Sequence, residues 1–286
     1  MNLPQLTATR FFAAFGIVIY HFGVLVPSVA PFDIPWVHDL FSYSCLGVSY
    51  FFVLSGFIMA VVYYQPTRTL DRRRYWVARF ARIYPLYALG LVLALIYPLL
   101  PLGESFQALT HTGSARASLR MVYEHITSHD PTAVALNFSL LQAWVHGYSM
   151  TINPPGWSLS IEALFYLSFP LVLHVAYRLG IRALVAVALG IWVFSLVFQM
   201  ALIRPGDYWL QFPLMNFNVF IFGFTTGVLF LKTAQRGAAQ RGAARQELAD
   251  ARRWQWALGV LALSCIGLVV LVPGLQAYLG AFMNPV

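Results

Sequence analysis

The sequence predicts an all-α membrane protein, a polytopic bundle of about seven spanning helices plus a re-entrant segment, forming a single domain over residues 1–286. Three observations carry that expectation. Of the 286 residues 59% are apolar and only 10% charged, whereas a soluble domain is nearer half apolar and a quarter charged. The apolar residues collect in runs of about 20, the length that crosses a bilayer as a helix. Basic residues gather in alternate loops, as the positive-inside tendency requires. The same composition excludes disorder, and two cysteines are too few for a disulfide scaffold. Cys45 and Cys265 both lie in apolar runs and read as buried free thiols. A net charge of +8 in so aromatic a chain speaks for a lipid bilayer as partner, with no nucleic acid.

In chain order, spans are predicted near residues 11–30, 42–64, 83–101, 157–177, 182–203, 209–231 and 254–272. The first is followed by Pro31 after Ser28-Val29-Ala30, a poor cleavage site, so it is a retained helix and not a signal peptide. The run from Ala133 to Trp144 is too short to cross and leads into Gly147, Asn153 and Pro154, which marks it as re-entrant or interfacial. With a cytoplasmic N-terminus and that segment not crossing, 15 of the 18 basic residues fall inside. Only Arg116, Arg120 and Arg204 fall outside, together with six of the ten acids. A crossing at 133–156 would turn the basic loop 232–253 outward, against the rule. The doubled QRGAA at 235–244 reads as a cytosolic linker, and Pro273-Gly274 ends the last span.

Ionisable residues within spans are costly unless paired or facing a cavity, so each is a functional candidate. Arg10 and His21 are eleven residues apart, on one helical face and about 16 Å apart along the axis. A neutral imidazole at mid-membrane depth is suited to general-base chemistry. Its alternative is a buried histidine hydrogen-bonded to a neighbouring helix. In RRRYWVARFAR, Arg79 and Arg82 share a face at the start of a helix, and paired guanidiniums grip phosphates bidentately. Arg68 and Arg72 to Arg74 read as topology determinants. Glu162, six residues after Gly156, enters from the outer side, so a pairing with His21 across helices is geometrically possible. Its alternative is a structural partner for an arginine. Of the outer-loop histidines His111, His125 and His129, the last two have i, i+4 spacing but lack a convincing third ligand, so no metal is expected. Helix-start N–H groups near Gly156 or the Ser160 hydroxyl are the candidates for an oxyanion hole.

The motifs TATRFFAAFGIVIYHFG, GVSYFFVLSGFIMA, RYWVARFARIYPLY and PPGWSLSIEALFYLSFP, in this order, closely resemble the acyltransferase-3 family, from about Leu6 to Pro170. The resemblance implies an integral membrane O-acyltransferase that moves acyl groups, commonly acetyl, onto surface or secreted glycans. It marks Arg10 and His21 as the basic-x10-His pair, Arg79 and Arg82 as the Arg-x-x-Arg motif, and Ser160 and Glu162 as the Ser-x-Glu. The resemblance implies acetyl-coenzyme A as donor, with its phosphates near Arg79 and Arg82. The expected roles are then catalysis by His21, as base for direct attack or as a transiently acetylated residue, oriented by Glu162, donor binding by Arg10, Arg79 and Arg82, and acceptor binding by Ser160 and Trp157. The donor is expected at the cytosolic side and the acceptor, such as an exopolysaccharide or lipopolysaccharide, at the outer side of a bacterial inner membrane. Two features depart from the family pattern. Ser49 and Tyr50 stand where many members carry an acidic residue, and the late SYxxYLxH-like segment of a ten-span member is not present. Against the family pattern C-terminal helices are missing, so the expectation is either a fragment or a shortened member. Outside the enzyme class, the same His and Glu suit a proton-coupled transporter or flippase, and the short C-terminus suits an inactive structural subunit.

Overall fold

The computed structural model describes residues 4–25, 34, 46–65, 70–96, 130–202 and 211–240. Among these there is no strand, and seven α-helices follow one another. They are α1 (Pro4–Leu25), α2 (Leu46–Tyr63), α3 (Arg72–Ile96), α4 (Pro131–Phe138), α5 (Trp157–Arg178), α6 (Ile181–Leu202) and α7 (Gln211–Gln240), with single 3-10 turns at Gln142–Trp144 and Pro154–Gly156. Three stretches are long and apolar enough to cross a membrane, Arg72–Ile96, Pro154–Arg178 and Asn216–Ala234. Shorter apolar stretches, Leu6–His21, Gly47–Tyr63 and Ile181–Ser195, lie in α1, α2 and α6.

The centre of the bundle is the α2–α7 contact, and small residues create it. In lipid no hydrophobic force drives helices together, so close backbone approach and side-chain packing must do so. A Cβ on Gly223 would stand 1.9 Å from the Val53 carbonyl oxygen, and one on Gly56 2.1 Å from that of Phe220. Gly227 extends the seam against Phe57 and Ala60. Only glycine lets these two helices lie this close. Around the seam aromatic rings interlock: Phe165 of α5 stacks on Phe220 of α7 at 4.5 Å and meets Phe52 of α2 edge-on at 5.1 Å. Such offset and edge-on arrangements suit the ring quadrupoles. α1 joins the outside of α2, where Gly47 receives Ile17 and the Ala13 backbone. Leu86, Leu89 and Leu93 of α3 and Val193, Phe194 and Val197 of α6 stay exposed, as suits lipid-facing sides.

Residues 131–156 hold no crossing helix. α4 has eight residues, about 12 Å of helix, which agrees with a re-entrant or interfacial segment. Its N-terminus is capped by Asp130, whose carboxylate accepts from Thr132 N–H at 2.9 Å, with Pro131 in the first turn. Its C-terminus closes through Leu140 in the left-handed region at φ 59°, with Leu141 N–H returning to the Leu136 carbonyl. A buried polar network then fastens the segment to α3. Gln142 donates to Tyr87 Oη at 2.9 Å and to the Gly156 carbonyl at 3.0 Å, while Tyr87 Oη–H donates to the Asn137 carbonyl at 3.0 Å.

Two expectations need correction. The helix expected from residue 83 begins at Arg72, because a helix continues through basic residues that lower the apolar average. Residues 235–240 of the QRGAA repeat continue α7 and are not a linker, since Ala, Gln and Arg are good helix formers. The predicted span at 254–272, the outer-loop histidines and both cysteines lie outside the described residues.

Candidate active site

The early start of α3 changes the depth of the paired arginines. Arg79 and Arg82 lie about 10 and 15 Å along the axis from Arg72, two to three turns into the helix and not at its mouth. α1 brings Arg10 to the same place: the half-buried Arg10 lies within electrostatic range of Arg82, Tyr50, Tyr166 and Glu162. Beside it Thr9 Oγ1 and Tyr50 Oη share a hydrogen bond of 2.5 Å, so Tyr50 links α2 to α1 at this point. Thus α1, α2, α3 and α5 converge on one polar cluster between apolar helices.

The two arginines of the Arg-x-x-Arg motif have different surroundings. Arg82 is exposed, and among the described residues it has no carboxylate at ion-pair distance. Arg79 is enclosed by three tyrosine rings. Its Cζ lies 5.4 Å from the centre of the Tyr63 ring, 5.6 Å from Tyr75 and 5.3 Å from Tyr166. It donates through Nη2 to Tyr63 Oη at 3.0 Å. A guanidinium over ring faces is held by their quadrupoles, most strongly away from water.

Glu162, half-buried, accepts a hydrogen bond from the Tyr166 hydroxyl one turn along α5. The structure brings it near Arg10, and the hydrogen-bond partner it gives Glu162 is Tyr166, not His21. His21 lies exposed on the flank of α1 that carries Arg10, about 20° round the axis from it. Its Nδ1 lies 2.8 Å from the Ile17 carbonyl oxygen. A carbonyl only accepts, so Nδ1 is the nitrogen that donates here, and Nε2 is the one left over to exchange a proton with substrate. Ser160 is 1% exposed and donates to the Leu140 carbonyl at 2.6 Å, which commits its proton to the backbone. Trp157 packs edge-on against Phe52 with ring centres 6.2 Å apart.

Tyr63, Tyr75 and Tyr166 were not singled out from the sequence. Two carried a readable signal: Tyr75 precedes Arg79 by four residues and Tyr166 follows Glu162 by four, the spacing that brings helical side chains together. Tyr63 comes from a different helix, and no spacing reveals it. Among the described residues no group of His, Cys, Asp and Glu is arranged to hold a metal.

Comparison with known proteins bears on this site. The sequence matches the family model described as an acyltransferase domain (Acyl_transf_3) over residues 3–285. It is similar to the acyltransferase MdmB of Streptomyces mycarofaciens, 30% identical over 198 residues that cover 67% of this chain and 44% of that protein. Nodulation protein 10 of Rhizobium leguminosarum bv. viciae is 27% identical over 200 residues, 67% of this chain and 50% of its own length. The peptidoglycan O-acetyltransferase OatA of Listeria monocytogenes serovar 1/2a is 23% identical over 215 residues, 71% of this chain and 30% of its own. The chain spans half or less of the length of these relatives. No solved structure matches it significantly. With the family model matched almost from end to end, around a cluster built from the residues of four ordered motifs, the chain belongs to the acyltransferase-3 family.

Proposed function

We propose that the protein is a membrane O-acyltransferase that moves an acetyl group from acetyl-coenzyme A to a hydroxyl of a carbohydrate of the cell envelope. The observation that carries this reading is the arrangement on α1. Arg10 sits with Arg82 in a cluster rich in positive charge, and His21, its Nδ1 bonded to the Ile17 carbonyl so that Nε2 is left over, lies three turns further along the same flank. The exposed Arg82 guanidinium, with Arg10 beside it, fits the phosphates of a nucleotide-bearing donor, which accept bidentate hydrogen bonds. The thioester arm then lies along α1 towards His21. In this reading Nε2 takes the proton of the acceptor hydroxyl as its oxygen attacks the thioester carbonyl carbon. The C–S bond breaks, and the coenzyme A thiolate leaves and recovers the proton from the imidazolium. Glu162 supplies the negative charge that faces this positive cluster. Trp157 and Ser160, at the start of α5, belong to the acceptor side, where Ser160 shapes the wall through its bond to Leu140.

The name of the Listeria relative includes peptidoglycan O-acetylation, and it supports a glycan as acceptor here. The proposed setting is a bacterial inner membrane with the N-terminus in the cytoplasm and about seven crossings. The basic loops support this orientation by the positive-inside tendency. The test is coenzyme A release from acetyl-coenzyme A by the purified chain in lipid, beside His21→Ala. Release that the variant loses supports acyl transfer. Movement of a solute across the bilayer with no thioester consumed would instead favour a transporter.

A further inference from the structure

We propose that Arg79 is a positioning residue that holds Tyr166, and through it Glu162, and that within the Arg-x-x-Arg pair only Arg82 meets the donor's phosphates. The inference rests on the acyl-transfer reading above for what the site binds. Its structural half stands on the cage alone. Three ring faces surround the Arg79 guanidinium at 5.3 to 5.6 Å, and one of its N–H groups is given to Tyr63 Oη. Ring faces carry negative potential. They attract a cation and repel an anion, so a phosphate approaching Arg79 would have to displace the rings that cover it. Tyr75 and Tyr166 are almost wholly buried, at 3% and 7% exposure, and have little room to swing aside. Among the described residues no ring face covers Arg82, which is exposed.

The cage also has a direction. Trp76, three residues before Arg79 on α3, donates its indole N–H to the Tyr166 main-chain carbonyl at 3.2 Å. α3 therefore grips Tyr166 twice, by its backbone through Trp76 and by its ring through Arg79. The Tyr166 hydroxyl, held in this way, donates to the Glu162 carboxylate. A carboxylate on a flexible side chain loses rotamer freedom only when something fixes its partner. Here that fixture is a cation from the neighbouring helix. Arg79 thus orients Glu162, the acid that the described residues place near Arg10, without itself touching the donor.

The experiment uses the full chain in lipid nanodiscs and two readouts. The first is equilibrium binding of free coenzyme A, with the donor KM and kcat beside it. Arg82→Gln should weaken binding about ten-fold, as expected for one charge-assisted contact, whereas Arg79→Gln should change it by less than about two-fold while kcat falls. The second is the rate at which a hydrophobic carbodiimide labels Glu162, read by peptide mass spectrometry. Tyr166→Phe removes the hydrogen bond and sets the scale. Arg79→Gln should raise labelling towards the Tyr166→Phe rate, and Arg79→Lys, which keeps the charge but not the planar fork, should fall between. If Arg79→Gln does not fold, Arg79→Lys carries both comparisons. Coenzyme A binding weakened as much at position 79 as at 82 overturns the proposal, and so does Glu162 labelling unchanged from wild type. A wild-type chain that neither binds coenzyme A nor consumes acetyl-coenzyme A removes the acyl-transfer reading, while the labelling comparison still decides whether Arg79 positions Glu162.

Discussion

The Ser160 hydroxyl donates to the main-chain carbonyl of Leu140 at 2.6 Å, joining the first turn of α5 to the residue that ends α4. Leu140 holds a positive φ of 59°, a conformation that costs a non-glycine residue free energy and persists only where its surroundings enforce it. The bond from Ser160 is one such enforcement. The serine of the Ser-x-Glu motif therefore has a structural task, keeping the segment between α4 and α5 against the site.

Ser160→Ala should accordingly destabilise the protein by about 1 kcal/mol, the typical cost of losing one such bond, with membrane helices at the low end. Thermal unfolding in detergent checks it. A raised acceptor KM with an unchanged midpoint would instead give Ser160 a direct substrate contact.

The α2–α7 seam makes a second prediction. Gly223→Ala puts a methyl group 1.9 Å from the Val53 carbonyl oxygen, which is backbone and cannot move aside. The variant should lose about 3 kcal/mol or more, by overpacking that forces the helices apart. Gly190→Ala in α6 is the control, since a Cβ there meets no atom within 4 Å. It should be neutral or stabilising by up to about 1 kcal/mol, because alanine is the better helix former. Equal losses in the two variants would show that close approach at 223 is not what holds the seam.

The helices were legible in the sequence wherever apolar runs were unbroken, as at α2, α5 and α6. The start of α3 was not, because the arginines from 72 to 82 dilute the apolar average although the helix runs through them. That residues 133–144 hold no helix long enough to cross was readable from the length of the apolar run, but the network of Asn137, Gln142 and Tyr87 that fastens the segment joins residues about 50 positions apart. At the site, Arg10 lies near Arg82 and Glu162, whereas the sequence pairing of Glu162 with His21 gives way to Tyr166. The unequal fates of Arg79 and Arg82 depend on Tyr63 from another helix, and three-residue spacing treats the two arginines alike.

Asp130 gives the segment a pH dependence. Its carboxylate is held below the ordinary aspartate range, first by the Thr132 N–H it caps and also by the Tyr148 hydroxyl. Tyr148, facing the Asp130 carboxylate, is held above its own ordinary range. A lowered carboxylate pKa in the folded state means the contribution is present above the unfolded value and lost as pH falls through the folded one. Amide exchange over residues 131–138, corrected for intrinsic rates, should therefore speed up below the ordinary aspartate range. Asp130→Asn keeps a capping side chain but cannot titrate, so it should lack this dependence. The same acid-induced loosening in that variant would assign it to another group.

His21 provides the sharpest test of chemistry because its two ring nitrogens have separate tasks. Nδ1–H is committed to the Ile17 carbonyl at 2.8 Å, and Nε2 is the only nitrogen left to accept a proton. His21→Asn places an amide N–H near the position of Nδ1–H and supplies nothing in place of Nε2. The helix bond is retained and the base is lost. Because His21 is exposed on its helix, the variant should insert and unfold like the wild type. Its rate of coenzyme A release in the presence of acceptor should fall about 10²- to 10⁴-fold, the usual contribution of a positioned general base. His21→Ala, which loses both functions, should be no slower than His21→Asn. Turnover in His21→Asn close to that of the wild type would take His21 out of proton transfer and leave it as a residue that caps a turn of α1.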